Sequence, residues 1–436
     1  MMRSDRDQLI RRALTPPTDV VAPADLGEEI YRAVTSTPQA RRAPLSGLAW
    51  GPLYQGTWVL LVVALLLAGL AISILGRPQP APPIRVQGYH GGPERTGVMA
   101  GPGPMGEVGI GWQVQRRGPV PFTLMPIASD DVIYVADAAG DVSALAAIDG
   151  TTRWTTRLET PVTGSPILEA GLLVVGTESG EIIALGEVSG RERWRHDVGS
   201  AVHASLVAVE GLIIVAAEDG SVAALDAATG EVRWTMMLPG IPARGPAIAD
   251  GTMYIGASEQ LLAIDLATRA ERWRFEIGPG TISTPTATEG VVYVSGGLDA
   301  ETEHAVIAID AASGLERWRF ETEDGGRVLV GAVADGSVYA LGDDGFVYNL
   351  AAADGQLLWR FETGGPIAAL ASVAQGVVYV SSTDRSVYAI EALMGSERWR
   401  VDVSGEPTLP LVIGGRVVVG TNVGTVLALV GSNPSP

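Results

Sequence analysis

Short apolar runs separated by polar turns recur along most of the chain. VIYVADAAGDVSAL (132–145) shows the pattern, in which a run rich in β-branched residues meets a Gly- and Asp-bearing turn and then a second short run. β-Branched and aromatic residues favour strands, so two such runs around a turn predict a β-hairpin. Eight copies of the hairpin pattern are present, the last at 417–429. This part of the chain is therefore predicted to be all-β.

A tryptophan follows each hairpin except the last, at a nearly constant spacing. The repeated tryptophans are Trp112, Trp154, Trp194, Trp234, Trp273, Trp318, Trp359 and Trp399, with steps of 42, 40, 40, 39, 45, 41 and 40 residues. Glycine stands four residues before tryptophan in six of the seven hairpin copies, and Arg269 is the exception. About forty residues with four short strands is the size of one β-propeller blade. A large flat side chain at a fixed position is expected to pack each blade on the next.

The count of repeats predicts how the ring closes. Trp112 has no hairpin before it, and the hairpin at 417–429 has no tryptophan behind it. The strand 111–115 (GWQVQ) should therefore complete the blade begun by residues 407–430, which leaves no open sheet edge. We predict an eight-bladed β-propeller of four-stranded blades over residues 111–431, with a disordered C-terminus at 432–436.

The region before the repeats contains one long apolar stretch. Trp58 to Leu75 (WVLLVVALLLAGLAISIL) has 18 residues without a charge. As a helix it would reach about 27 Å, close to the roughly 30 Å hydrocarbon core of a bilayer. It begins too late for an ordinary signal peptide, which favours a signal anchor over a cleaved leader or a buried core helix. The predicted order is a cytoplasmic tail at 1–55, partly helical or disordered, a transmembrane helix at 56–76 and a Pro/Gly-rich linker at 77–110.

Composition narrows the possible chemistry. The formal net charge is −19, and an acidic domain repels phosphate backbones, which makes nucleic acid a poor partner. The chain has no cysteine and four histidines, without an HExxH motif, which excludes thiolate zinc sites and lipid anchoring on cysteine and makes a histidine-rich metal site improbable. The acidic insertion at 298–304 (LDAETEH) is interpreted as a solvated loop in preference to a cation site.

The repeat phrase resembles the PQQ-like repeat of β-propellers, xYVGxxDGxLxALDxxTGxxxW. IIVAAEDGSVAALDAATGEVRW (213–234) is the best-matching copy, and YHGGPERTGVMAGPGP (89–104) is similar to the segment that often introduces such propellers. The resemblance covers residues 89–431 and implies the propeller fold. It leaves two functional branches open, quinoprotein dehydrogenases and the propeller lipoprotein of outer-membrane assembly. The dehydrogenases carry adjacent cysteines and a Ca²⁺ cluster, neither of which this sequence offers, so no cofactor is expected and pyrroloquinoline quinone (PQQ) is the alternative.

The favoured function is a non-enzymatic scaffold that binds a protein or peptide outside the cytoplasm. The alternatives are a quinone-dependent dehydrogenase and a single-span sensor. The arginines flanking the apolar stretch do not decide its orientation. The resemblance favours a cytoplasmic-membrane protein with its N-terminus inside and the propeller outside the cytoplasm. The propeller is expected to be monomeric. The segments that lead into the first strand of a blade mostly hold small or apolar residues and Thr. Two of them hold a polar residue instead, and these residues, His203 and Arg244, are candidate ligand-binding residues on adjacent blades. The competing interpretation is that both satisfy loop carbonyls.

Overall fold

The computed structural model describes residues 85–432 apart from residues 87, 118–124, 243, 281, 298–303, 324 and 368. These residues belong to one of two compact units of the chain, Pro82–Pro436. The predicted tail at 1–55, the transmembrane helix at 56–76 and most of the acidic insertion lie outside the described residues. Among those that are described, no helix has the length and apolarity needed to span a bilayer.

The described chain is built from strands, with one short 3-10 helix at Tyr89–Gly91. In chain order the first strands are β1 (Arg85–Val86), β2 (Val108–Gln115), β3 (Ile127–Ser129), β4 (Val132–Ala136), β5 (Asp141–Ala146), β6 (Thr152–Arg157), β7 (Ile167–Glu169), β8 (Leu172–Gly176), β9 (Glu181–Gly186) and β10 (Glu192–Asp197). The next are β11 (Val207–Val209), β12 (Leu212–Ala216), β13 (Ser221–Asp226), β14 (Val232–Met237), β15 (Ala247–Ala249), β16 (Thr252–Ala257), β17 (Gln260–Asp265), β18 (Glu271–Glu276), β19 (Thr286–Thr288), β20 (Val291–Gly296), β21 (Ala305–Asp310) and β22 (Glu316–Phe320). The last are β23 (Val328–Ala334), β24 (Ser337–Gly342), β25 (Phe346–Ala351), β26 (Leu357–Glu362), β27 (Ser372–Ala374), β28 (Val377–Ser381), β29 (Ser386–Glu391), β30 (Glu397–Asp402), β31 (Leu411–Ile413), β32 (Arg416–Gly420) and β33 (Thr425–Gly431).

These strands form eight antiparallel sheets, which confirms the predicted eight-bladed propeller. Blade 1 contains β3–β6 with β1 added at its inner edge, and blades 2 to 7 each contain the next four strands in order, from β7–β10 to β27–β30. Blade 8 contains β31, β32, β33 and β2. The first strands of neighbouring blades contact one another, which places them around the axis of the ring.

Closure of the ring follows the prediction made from the repeat count. β2 pairs antiparallel with β33, with Trp112 opposite Ala428 and Gln115 opposite Thr425. The first long strand of the domain therefore supplies the outer strand of the last blade. The same pairing satisfies backbone groups that an open edge would expose to other chains.

Burial explains why each blade needs its neighbours. The two middle strands are buried almost throughout, as in β8 and β9, because both of their faces pack against adjacent blades. The outer strands alternate between exposed and half-buried positions, and β18 (ERWRFE) buries part of Trp273 and Phe275 while its charged residues face solvent. This alternation is the period-two pattern of a strand that has one face against the core and the other in solvent.

The repeated tryptophans join consecutive blades. A bulge in each outer strand shifts the register just before the tryptophan, as between Glu192 and Trp194, and turns the indole toward the next blade. At six junctions the indole N–H donates to a carbonyl oxygen of the next blade at 2.9–3.1 Å. The pairs are Trp112–Ala147, Trp154–Glu187, Trp194–Ala227, Trp273–Ala311, Trp318–Ala352 and Trp359–Ala392.

Candidate functional site

Residues 88–102 follow the inner strands around the propeller axis and bond to one blade after another, whereas Met105 and Glu107 lie beside Gly431 and Ser432 at the end of β33. The carbonyl oxygens of this segment, here called the axial segment, accept hydrogen bonds from the backbone N–H groups of the blades. The bonds run from Ile248 to Pro93 (2.8 Å), Ala287 to Glu94 (2.9 Å), Val333 to Thr96 (2.8 Å), Val373 to Gly97 (2.8 Å) and Gly415 to Pro102 (2.9 Å), and so proceed from blade 4 to blade 8. The inner edges of these strands would otherwise present unpaired N–H groups to the channel.

Part of the predicted Pro/Gly-rich linker at 77–110 lies outside the described residues, including residues 77–84, which were predicted to hold the propeller off the bilayer. The part from residue 88 to residue 102 is hydrogen-bonded to the blades. Hydrophobic periodicity does not reveal this placement, because a segment rich in Gly and Pro has no apolar period and is held mainly through its backbone. The signal that the sequence did offer was the similarity of residues 89–104 to a segment that often introduces such propellers.

Arg95 is a buried cation held by carbonyl oxygens. Its side chain is 1% exposed, and its guanidinium donates to the carbonyls of Tyr89 (2.9 Å), Ser205 (3.1 Å), Leu206 (2.9 Å) and Pro246 (3.1 Å). Burial lowers the pKa of Arg95 to about 10, so the side chain stays charged at neutral pH. Because its acceptors belong to the loops entering blades 3 and 4, Arg95 clamps those two loops together.

His90 is the second buried polar residue of the axial segment. Its Nδ1 lies 2.6 Å from the carbonyl oxygen of Arg95, and its Nε2 lies 2.6 Å from that of Gly331 and 3.0 Å from that of Ala371. Burial lowers the pKa of His90 to about 4, although the three carbonyl oxygens oppose the shift. The imidazole is therefore neutral at physiological pH and links the axial segment to blades 6 and 7.

The structure places His203 and Arg244 on neighbouring loops at the same end of the channel. Both are exposed, and His203 Nε2 lies 3.3 Å from a carboxylate oxygen of Glu218. The two loops meet closely, since a Cβ on Gly245 would lie 2.4 Å from the carbonyl oxygen of Ser205. Each candidate residue is thus two positions from a carbonyl that Arg95 holds. This arrangement forms a rigid rim that carries two exposed basic groups.

No group of three or more His, Asp or Glu side chains suited to a metal ion occurs in the part of the chain that the structure describes. The sequence also lacks cysteine, whereas the resemblance to quinoprotein dehydrogenases implies adjacent cysteines over the quinone.

A family model matches almost the whole repeat region. The family is described as outer membrane protein assembly factor BamB, of the PQQ type, and the matched residues are 110–176, 138–243, 222–325 and 302–434. Together these ranges span about three quarters of the chain and coincide with the propeller.

Solved structures with the same fold include both functional branches. BamB from Moraxella catarrhalis is 21% identical, with a TM-score of 0.61, over 76% of this chain and 99% of that one. The quinohemoprotein alcohol dehydrogenase from Comamonas testosteroni is 15% identical, with a TM-score of 0.62, over 81% and 82%. The computationally designed Ika8 protein is 16% identical, with a TM-score of 0.65, over 73% and 98%. At these identities the similarity establishes the fold alone.

One curated relative shares part of the sequence. The serine/threonine-protein kinase AfsK from Streptomyces griseus is 31% identical over 128 residues, which are 27% of this chain and 15% of the kinase. The chain therefore spans only a small part of that relative.

Proposed function

This chain belongs to the PQQ-type propeller family described as outer membrane protein assembly factor BamB, and on that premise we propose that it is a membrane-tethered, non-enzymatic scaffold. Its ligand would be a protein or peptide outside the cytoplasm. The observation that carries the proposal is the axial segment, because its backbone bonds to blades 4–8 cover inner edges of these blades that would otherwise face the axis. Ligands then have the outer loops and turns as their accessible surface, which suits macromolecular recognition better than enclosure of a small molecule.

The rim of blades 3 and 4 is the proposed contact surface. Arg95 fixes both loops from below, so a partner would meet a preorganised surface and lose little entropy in ordering it. His203 and Arg244 offer N–H donors to carboxylates or backbone carbonyls of the partner.

Partner capture tests the proposal. Full-length protein should be purified from its native membranes with co-purifying partners quantified, for the native chain, for His203→Ala with Arg244→Ala, and for Arg327→Ala. Arg327 is an exposed arginine on the loop entering blade 6 and serves as the matched control. We expect the double variant to lose most of one partner while its melting temperature and that of the control stay unchanged. If the double variant retains all co-purifying partners at the native amounts, the rim of blades 3 and 4 is not the contact surface.

The membrane location is a separate proposal with its own test. It rests on the uncharged run Trp58 to Leu75, which is long enough for a bilayer. A reporter active only outside the cytoplasm should give signal when fused after Pro436 and none when fused after Arg12. The opposite pattern would reverse the orientation.

A quinone-dependent dehydrogenase is the competing function, favoured by the similarity in fold to a quinohemoprotein alcohol dehydrogenase. Titration of the purified protein with PQQ and Ca²⁺ separates the two. The scaffold proposal expects no saturable absorbance change and no dye reduction with alcohols or sugars. A stoichiometric change with substrate-dependent dye reduction would replace it.

A further inference from the structure

A cleft of about 230 Å³ lies between blades 1 and 2. It is at the end of the propeller that holds the turns after the first and third strands of each blade, opposite the rim of His203 and Arg244. Its lining combines carboxylates, a guanidinium and an aromatic wall. The residues that matter here are Asp130, Asp131, Arg153, Trp154, Glu187 and Val188.

Comparison among the blades shows that this cleft departs from the repeat. The turn after the first strand ends in glycine in blades 2 to 8, whereas blade 1 has Asp131 there. The position of Glu187 is alanine in five of the other six copies and Leu266 in the sixth. Propeller folding therefore requires neither acidic side chain, and both departures fall on the same cleft.

A third departure concerns Arg153. In blades 3, 4, 5 and 7 the arginine before the repeated tryptophan pairs with a carboxylate seven residues earlier, as Arg272 does with Asp265 at 2.6 Å. Blade 1 has Ala146 at that earlier position, and Arg153 instead pairs with Asp131 across the turn. This contact helps to shape the cleft and holds one carboxylate in place.

The chemistry of the cleft suits a cation with an apolar stem. Three carboxylates stand against one guanidinium, so the lining carries a net negative charge. Val188 is 91% exposed. Trp154, which also lines the cleft, is half-buried, and its indole N–H donates to the carbonyl oxygen of Glu187 at 3.0 Å. Such apolar surfaces pack against the methylene groups of a long side chain whose charged head reaches carboxylates.

Size and geometry narrow the ligand further. The volume is below that of typical cofactor pockets, roughly 300–1,000 Å³, and matches a single inserted side chain. The carboxylates do not form a group suited to a metal ion in the described part of the chain. A guanidinium satisfies separated carboxylates through its planar fork of N–H donors, which an ammonium does not.

The geometry points to a pocket that receives an arginine side chain of a protein partner, with Glu187 and Asp131 as acceptors and Trp154 and Val188 as the wall for its stem. This inference rests on the proposed function only in that the ligand belongs to a protein.

Binding of short peptides tests it on the full-length protein. The probes are dye-labelled Gly-Gly-Arg-Gly-Gly and the same peptide with citrulline, which keeps the shape and removes the charge, followed by fluorescence anisotropy. We expect the arginine peptide to bind at least fivefold more tightly than the citrulline peptide. The double variant Asp131→Gly with Glu187→Ala should abolish that difference, since it restores residues that the other blades carry and should fold normally.

Glu289→Ala provides the matched control. Glu289 is an exposed acidic residue in the corresponding turn of blade 5, and its removal should leave the preference for arginine intact. Equal binding of the two peptides, or an arginine preference that survives in the double variant, would overturn the inference. The titration needs no identified partner and does not involve the rim, so its failure is distinguishable from failure of the capture experiment.

Discussion

The indole of Trp194 lies so close to Gly230 of the next blade that a Cβ on that glycine would be 2.6 Å from the ring. Gly230 also has φ +74°, a conformation that residues with a Cβ rarely adopt. The indole N–H completes the contact by donating to the carbonyl of Ala227 at 3.1 Å. In the six repeats that have a glycine four residues before their tryptophan, this glycine thus packs against the tryptophan of the preceding blade.

Gly230→Ala should destabilise the propeller by about 2–4 kcal/mol, because overpacking adds to backbone strain. Gly211→Ala separates the two effects, since Gly211 has φ +76° and a Cβ added there would meet no atom within 4 Å. It should cost only about 1 kcal/mol. Denaturant unfolding of both variants measures the difference in stability. Equal losses of stability would show that the indole of Trp194 moves away from the added Cβ at no energetic cost.

Arg269 occupies the glycine position opposite Trp234 with φ +60°. Arg269→Gly should raise the free energy of unfolding by roughly 0.5–1 kcal/mol, because it relieves a left-handed conformation. The exposed bond from its guanidinium to the carbonyl of Ala267 (2.8 Å) contributes little. Chemical denaturation is the measurement, and a loss of stability would mean that the arginine stem has become part of the Trp234 packing.

Trp112 links the last blade to the first through its bond to Ala147 at 2.9 Å and is 9% exposed. Trp112→Ala should cost about 3–5 kcal/mol through lost packing, whereas Trp112→Phe keeps a ring and should cost about 1–2 kcal/mol. Hydrogen exchange should show the loss concentrated in β2 and β33. Protection lost evenly over all blades would contradict a local closing role.

His90 predicts a pH dependence of stability. Burial lowers its pKa to about 4 from 6.5, so the unfolded chain takes up a proton before the folded chain does. Stability that is present above pH 6.5 is therefore lost as the pH falls through 4, by about 3 kcal/mol. His90→Gln lacks this titration, and its stability should fall correspondingly less between pH 7 and pH 4.

The control for this experiment is His196→Gln, which alters a half-buried histidine on an outer strand. Its acid profile should follow that of the native chain in parallel. If His90→Gln also follows the native profile, the imidazole of His90 is not shielded from protons in the folded state.

Repetition made the propeller predictable from the sequence. Trp154 and Trp194 recur with the same flanking turn, so the same assignment of strands and turns could be checked against several copies of the repeat within one chain. The unpaired first tryptophan and last hairpin then required that the strand around Trp112 join residues 425–431, as it does.

The axial segment could not be predicted in the same way. Its bonds to Ile248 and Val373 are made by backbone atoms, and any sequence able to follow the same path would make them. Arg95 and His90 are single polar residues in an irregular stretch, and only the carbonyls of distant blades reveal their burial. The bulge that aims each indole is likewise invisible in the sequence, because it arises from strand register.

The pairing of β2 with β33 also sets the order in which the domain can be completed during synthesis. Ile110 precedes the strands β3–β32 in the chain and its partner Leu429 follows them, so this pairing cannot form until seven blades have been synthesised. Long-range strand pairing is slow, and a waiting strand edge is prone to association with other chains. A nascent chain carries the axial segment and β2 through the synthesis of seven blades before the ring can lock. The topology therefore requires that the free edge of β2 be protected during this interval. A chain that ends before β33 retains blades 1 to 7 but remains an open ring that is prone to aggregate.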